Sequence, residues 1–120
     1  MEKHYKSAQG EAGADRIRRQ AELLAAAHHP GVVELIGVEG SVDRPVLVTV
    51  VVDGPTLAAP MPLAVEEVAG LVREVAETLA HLHDLGIVHG AVAPEHVLLR
   101  AGGPVLCGFG SAGRIGEAGP

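Results

Sequence analysis

The stretch HGAVAPEHVLL, residues 89–99, decides how this chain is read. A histidine opens it, Pro94 and Glu95 sit near its centre, and the apolar run Val97-Leu98-Leu99 closes it. Between them stand Gly90, Ala91, Ala93 and His96, where a loop that performs chemistry would carry carboxylates, amides or a lysine. The loop is either one that has lost its catalysts or one that never had any.

Upstream, residues 64–84 have a helical stripe of Val65, Val68, Ala69, Val72, Val75, Ala76, Leu79 and Leu82. Pro60 and Pro62 lead into this helix and Gly86 supplies its stop. Further back, Ile17, Ala21, Leu24 and Ala25 recur at helical spacing over 14–28, ended by Pro30 and Gly31. A short strand is expected around 4–8. The β-branched runs 32–38 and 44–52 predict two strands joined by a turn at 39–43, the second broken by Asp53-Gly54-Pro55. Downstream, 97–100 and 105–107 predict a short hairpin around Ala101-Gly102-Gly103-Pro104. The fold class is therefore α+β.

The chain has 120 residues, enough for one domain with a modest core. Tyr5 and Phe109 are its only aromatic residues, so Val, Leu and Ala must fill the interior. Nine basic against fifteen acidic residues give a net charge of −6, which argues against nucleic acid or an anionic membrane as partner. Cys107 is the single cysteine, so an internal disulfide and a thiolate metal cluster are both excluded. With no leader-like or membrane-length apolar run in the sequence, a cytoplasmic location is expected.

The phrases in their order resemble the protein kinase family, from its third strand to the start of the activation segment. HHPGVVELIG (28–37) is similar to the end of helix C running into strand four, and PVLVTVVVDGPTL (45–57) to strand five and the hinge, with Thr49 at the gatekeeper place. LAHLHDLGIVHG (79–90) resembles the end of helix E, HGAVAPEHVLL the family pattern HRDLKPENILL, and VLCGFGSA (105–112) the strand leading into DFG. The resemblance implies a partial kinase-like fold. Its small-lobe sheet is incomplete, with helix C and the hinge in 1–57; the large lobe begins in 58–120 with helix E, the catalytic-loop region and the short hairpin. It also implies that the Gly-rich loop and the later lower-lobe helices are missing.

Mapped residue by residue, the resemblance places Ala91 where the family has the Asp that accepts the substrate proton. Ala93 stands for the Lys that neutralises the transferring group, His96 for a magnesium-holding Asn, and Gly108 for the Asp of DFG. The retained residues His89, Pro94, Glu95, Phe109 and Gly110 shape the loop rather than transfer phosphate. Gln20 stands at the helix C Glu place, and Lys6 is the candidate for the strand-three Lys. Glu22, two residues on, faces elsewhere on the helix. Lys6, Thr49, Val50 and Val52 are thus the candidates for holding ATP, weakly and without magnesium. No cofactor is otherwise expected.

Simpler readings stand beside these. Neither His28-His29 nor His81/His83 presents a chelating face, so no metal site is expected. His89 reads as a hydrogen-bonded loop histidine, Ser111 as a loop serine and Cys107 as a buried, inert thiol. His89-Gly90 is also similar to the HGD loop of small-molecule phosphotransferases of the kinase-like superfamily, which need an Asp where Ala91 stands. The expectation is a non-catalytic, pseudokinase-like domain that binds a protein partner or acts as a scaffold. The alternatives are a weak ATP-binding homologue with residual serine/threonine phosphotransfer in a longer chain, or a truncated remnant. An uncovered apolar helix face would favour self-association.

Overall fold

The computed structural model describes residues 3–7, 10–59 and 63–115. Strand β1 (Lys3–Ser7) is followed by helix α1 (Gly10–Ala26), strands β2 (Leu35–Gly40) and β3 (Pro45–Val50), and the long helix α2 (Val65–Asp84). The short β4 (Ile87–Val88) comes next, then β5 (Val97–Arg100), β6 (Gly103–Leu106) and β7 (Gly113–Arg114). Single 3-10 turns at Pro94–His96 and Phe109–Ser111 precede β5 and β7. The α+β class and the partial kinase-like order are as expected. Pro60 and Pro62 lie outside the described residues.

The first sheet is antiparallel in the order β1-β3-β2, with Lys6 opposite Leu47 and Val38 opposite Leu47 on the other side. β3 is central and buried on both faces over 47–49, as its continuous apolar run predicts. The strand expected at 32–38 begins later. Val32 and the Val33 N–H instead join Leu106 of β6, which ties the start of the chain to its end. The turn is also displaced, to Ser41–Arg44: the Arg44 N–H donates to Ser41 Oγ at 3.1 Å and the Ser41 N–H to the Arg44 carbonyl.

α1 starts four residues earlier than its periodicity indicates, because a Gly- and Ala-bearing first turn has no apolar pattern to read. It ends at Ala26, two residues sooner, since Pro30 disfavours helical backbone just before it. Its buried positions include Ala14, Ile17, Gln20, Ala21, Leu23 and Leu24, with Ala27 buried just past its end, whereas Ala25 faces solvent. α2 agrees with expectation to one residue at its start. Its C-terminus closes on Gly86, whose φ of +77° lies in the left-handed region and whose N–H donates to the His83 carbonyl. The stripe predicted along α2 is buried only in its second half. Leu82 is inaccessible, but Val65, Val68 and Val72 remain 81%, 40% and 58% exposed. The packed half meets β4 and β6, and no described element covers the other.

One core, containing Ile17, Leu24, Leu47, Leu82, Ile87, Leu106 and Phe109, joins both sheet regions and both helices. β4 pairs with β7, which periodicity does not reveal in strands of two residues. β5 and β6 form the expected hairpin, with Val97 opposite Leu106, but its turn is only 101–102, because Gly103 and Pro104 already pair with Arg100 and Leu99. The outcome is a sheet-and-helix layer and a hairpin-bearing segment facing each other across a cleft.

Candidate functional site

The cleft has a volume of about 330 Å³ and is walled by β1, α1, β3 with the residues after it, and 107–109; Gly108 lines it, whereas Ala91, Ala93 and His96 do not. β1 contributes His4 and Lys6, which share a face because side chains alternate along a strand. α1 contributes Gln20 and Leu24, β3 contributes Leu47 and Thr49, and the extended residues 50–52 continue the wall. Val33, Leu98, Cys107, Gly108 and Phe109 complete it. Thr49 is 6% exposed, and its neighbour Val50 gives its N–H to the Glu34 carbonyl at 2.9 Å.

Lys6, the expected strand lysine, does meet α1: its Nζ donates to Gln20 Oε1 at 3.4 Å. Gln20 is 3% exposed, and its Nε2 has no hydrogen-bond partner among the described residues. Sequence spacing names Gln20 but cannot show that its amide is buried and half satisfied.

The 89–99 loop is held by its two histidines. His89 is 1% exposed; its Nδ1 accepts from the Ala91 N–H at 3.1 Å, and its Nε2 lies 2.7 Å from the Cys107 carbonyl. An accepting Nδ1 leaves the proton on Nε2, which donates to that carbonyl. Burial lowers the His89 pKa below its ordinary value, the Cys107 carbonyl works against this, and the nearby His96 lowers it further. The Phe109 ring stands edge-on to His89 with centroids 4.6 Å apart. His89 of the loop and Phe109 of the 109–111 turn are thus packed against each other in the interior.

His96 lies across the bend from Ala91. Its Nδ1 donates to the Ala91 carbonyl at 2.7 Å, and its own carbonyl accepts from the Cys107 N–H at 2.8 Å. Gly108 follows in left-handed backbone, φ +71°. A Cβ on Gly108 would sit 2.5 Å from both Cδ2 and Cγ of the His96 ring. The imidazole therefore fills the space that any side chain at 108 would need.

Ala91 and Ala93 are half-buried and present only methyl groups, while Pro94 and Glu95 point to solvent. Gly110 approaches Lys6 closely enough that a Cβ there would be 3.3 Å from Nζ. Cys107 lines the cleft half-buried rather than fully buried, because it lies one residue past β6; burial pushes its thiol pKa up and keeps it protonated. Ser111 is an exposed turn residue. Away from the cleft, His29 and His81 bring their rings to 4.5 Å, a contact between α1's end and α2 that within-helix spacing could not reveal. Burial first, and then His81, lowers the His29 pKa.

With this geometry in view, the chain matches the family model "Protein kinase domain" over residues 1–119. The chain belongs to the protein kinase domain family. Among similar proteins are the serine/threonine-protein kinase pkn2 of Myxococcus xanthus, 37% identical over 89 residues, and the probable serine/threonine-protein kinase PknB of Lactococcus lactis, 30% identical over 107. The MAP kinase kinase kinase SSK2 of Saccharomyces cerevisiae is 33% identical over 110 residues. These matches cover 72%, 85% and 86% of this chain but only 11%, 17% and 7% of the respective relatives. The chain thus spans a small part of each relative's length.

For this kinase domain the residues present do not fit a magnesium ion. Magnesium takes hard oxygen ligands, usually carboxylates. No Asp or Glu lines the cleft, Gly108 has no side chain, and His96, whose Nδ1 donates to a backbone carbonyl, has only nitrogen to offer. Among the described residues no group of three or more His, Cys, Asp or Glu side chains is placed to hold any metal.

Proposed function

We propose that this kinase domain is non-catalytic and works by binding, as a pseudokinase module that docks a protein partner or acts as a scaffold. One observation carries the reading: the His96 ring occupies the space beside Gly108, so neither place offers the cleft a carboxylate. Phosphoryl transfer rests on positioning and electrostatic stabilisation of the phosphoryl group, for which Ala91 and Ala93 have no polar atom to contribute. Burial of His89, Phe109 and the hydrophobic core around them supports a scaffold maintained without the chemistry.

The exposed half-stripe Val65, Val68 and Val72 supports an apolar contact with a protein partner or a second copy of the chain. No helix among the described residues is long and apolar enough to cross a membrane, and the lone cysteine suits a reducing cytoplasmic location. The test combines two assays on the purified chain. Transfer of label from γ-labelled ATP with magnesium to protein substrates should stay at the no-enzyme rate, and cross-linking should capture a saturable partner. Label transfer that is abolished by Lys6→Met would overturn the proposal, and cross-linking with no saturable partner would overturn its binding half.

The cleft favours one secondary reading, a retained small-molecule site. Thr49, Val50 and Val52 line it together with Lys6, as the hinge reading requires. ATP held there would be held without magnesium.

A further inference from the structure

Gly31, away from the cleft, is the residue on which α1, α2 and β6 are pinned together. It is buried, and a Cβ there would collide with Thr78 Oγ1 of α2, so its backbone lies directly on that helix. Thr78 is 4% exposed, which places the contact in the interior. The Gly31 carbonyl accepts the Leu106 N–H of β6 at 2.7 Å. Its own N–H donates to Nδ1 of His29, just past the end of α1, at 2.9 Å. An Nδ1 that accepts must be unprotonated, so the neutral His29 ring carries its proton on Nε2. A second proton has only Nδ1 to go to, and it would set one N–H against another where Gly31 needs an acceptor.

We infer that His29 is a proton-operated latch: the neutral ring closes α1, α2 and β6 on Gly31, and protonation at Nδ1 releases Gly31 and loosens the two halves of the chain at this joint. The disturbance reaches further because Leu106, bonded to Gly31, in turn accepts from the Val33 N–H. The His29 ring also lies 4.5 Å from that of His81 on α2, so charging both rings sets like charges across the contact between the helices. Other charged groups line the same pockets as His29. Glu74 and Glu77 of α2 and Glu34 before β2 favour a charged ring. His28 and Arg100 of β5 oppose it, the Arg100 guanidinium being fixed beside the ring by its 2.8 Å bond to the Pro30 carbonyl. Burial and His81 tip this balance toward the neutral ring, which keeps the latch closed until the medium turns acidic.

The test is NMR of the isotope-labelled 120-residue chain from about pH 7.5 down to about pH 5, the range in which imidazoles titrate. At the upper end the ring nitrogens of His29 should report an unprotonated Nδ1. As the ring titrates, the amide protection factors of Gly31 and Leu106 should fall together by about tenfold, with the midpoint of the His29 titration. His29→Asn keeps an acceptor for the Gly31 N–H and cannot be charged, so it should abolish that step and leave the His89-linked step at the Ala91 amide. His81→Phe keeps a ring against His29 and removes one influence that holds it neutral, so the step should persist at higher pH. This second variant keeps the test alive if His29→Asn prevents folding. A protonated Nδ1 at the upper end, or Gly31 and Leu106 amides that stay protected once His29 is charged, would overturn the proposal. So would a step that survives His29→Asn, or a loss of protection shared equally by the amides of β3.

Discussion

Introducing an aspartate at position 108 is the perturbation that most sharply probes how Gly108 and His96 are packed. Two effects oppose Gly108→Asp. At φ +71° a non-glycine residue pays about 1 kcal/mol for left-handed backbone. Its Cβ would also lie 2.5 Å from two His96 ring atoms, and overpacking of that kind adds about 2 kcal/mol as the ring is displaced from the Ala91 carbonyl. Gly108→Asp alone should therefore destabilise by about 3 kcal/mol. His96→Ala alone loses one hydrogen bond, about 1 kcal/mol. In the double variant the clash is gone, so the loss should be about 2 kcal/mol, not the additive 4. Urea unfolding of the four proteins in a double-mutant cycle reads a coupling of about 2 kcal/mol, well inside the range for residues in contact. Additivity within 0.5 kcal/mol, on the order of what distant sites give, would refute the packing described for His96 and Gly108.

Other consequences are open to equally direct measurement. Leu82→Ala, at a fully buried position, should cost about 3 kcal/mol in urea unfolding, while Val72→Ala on the exposed half of the same helix should stay within about 0.5 kcal/mol. Equal losses at the two positions would mean that α2 is buried along its whole length. Burial lowers the folded-state pKa of His89 from its ordinary 6.5, so the folded chain resists protonation more than the unfolded chain does. Stability should be complete above about pH 6.5 and decline as pH falls from there through the folded-state value; His29 adds to this in the same direction. His89→Gln should flatten that decline, and an unchanged pH profile of chemical unfolding would contradict it. If the Val65-Val68-Val72 face mediates self-association, light scattering should register a loss of mass in Val72→Asp with unchanged circular dichroism.

Much of the fold was legible because it rests on long periodic or β-branched segments. The 3.6-residue stripe of α2 and the run 44–52 each predict their element within a few residues. What escaped was set by neighbours rather than by local pattern. The α2 stripe continues past the point where packing stops, so the sequence marks Val65 and Val72 as core although they are exposed. β4 and β7 have two residues each and owe their pairing to the turn at Gly86 and the approach of Ile115, whose N–H donates to the Gly86 carbonyl. Val32 and Val33 look like the start of a strand in the first sheet, yet their partner is Leu106.

At the site, the motif spacing locates Ala91, Ala93, His96 and Gly108, because family phrases are contiguous in sequence. It does not convey that His96 and Gly108 exclude each other's side chains, or that Gln20 keeps an open donor. Both depend on contacts across the fold. The only sequence signals were the coincident changes themselves: an imidazole at 96 with a glycine at 108, and an amide at 20 facing a lysine at 6.

The most direct test of the proposed non-catalytic reading is a thermal melt of the chain with ATP and excess EDTA, repeated with ATP and magnesium. That reading predicts the same Tm in both, whatever shift the nucleotide itself produces. Ligand at a hundred times its Kd stabilises by about 2.7 kcal/mol, and each kcal/mol moves Tm by about 4 °C or more in a domain of this size. A Tm that rises by several degrees only when magnesium accompanies ATP would contradict the non-catalytic reading at its root.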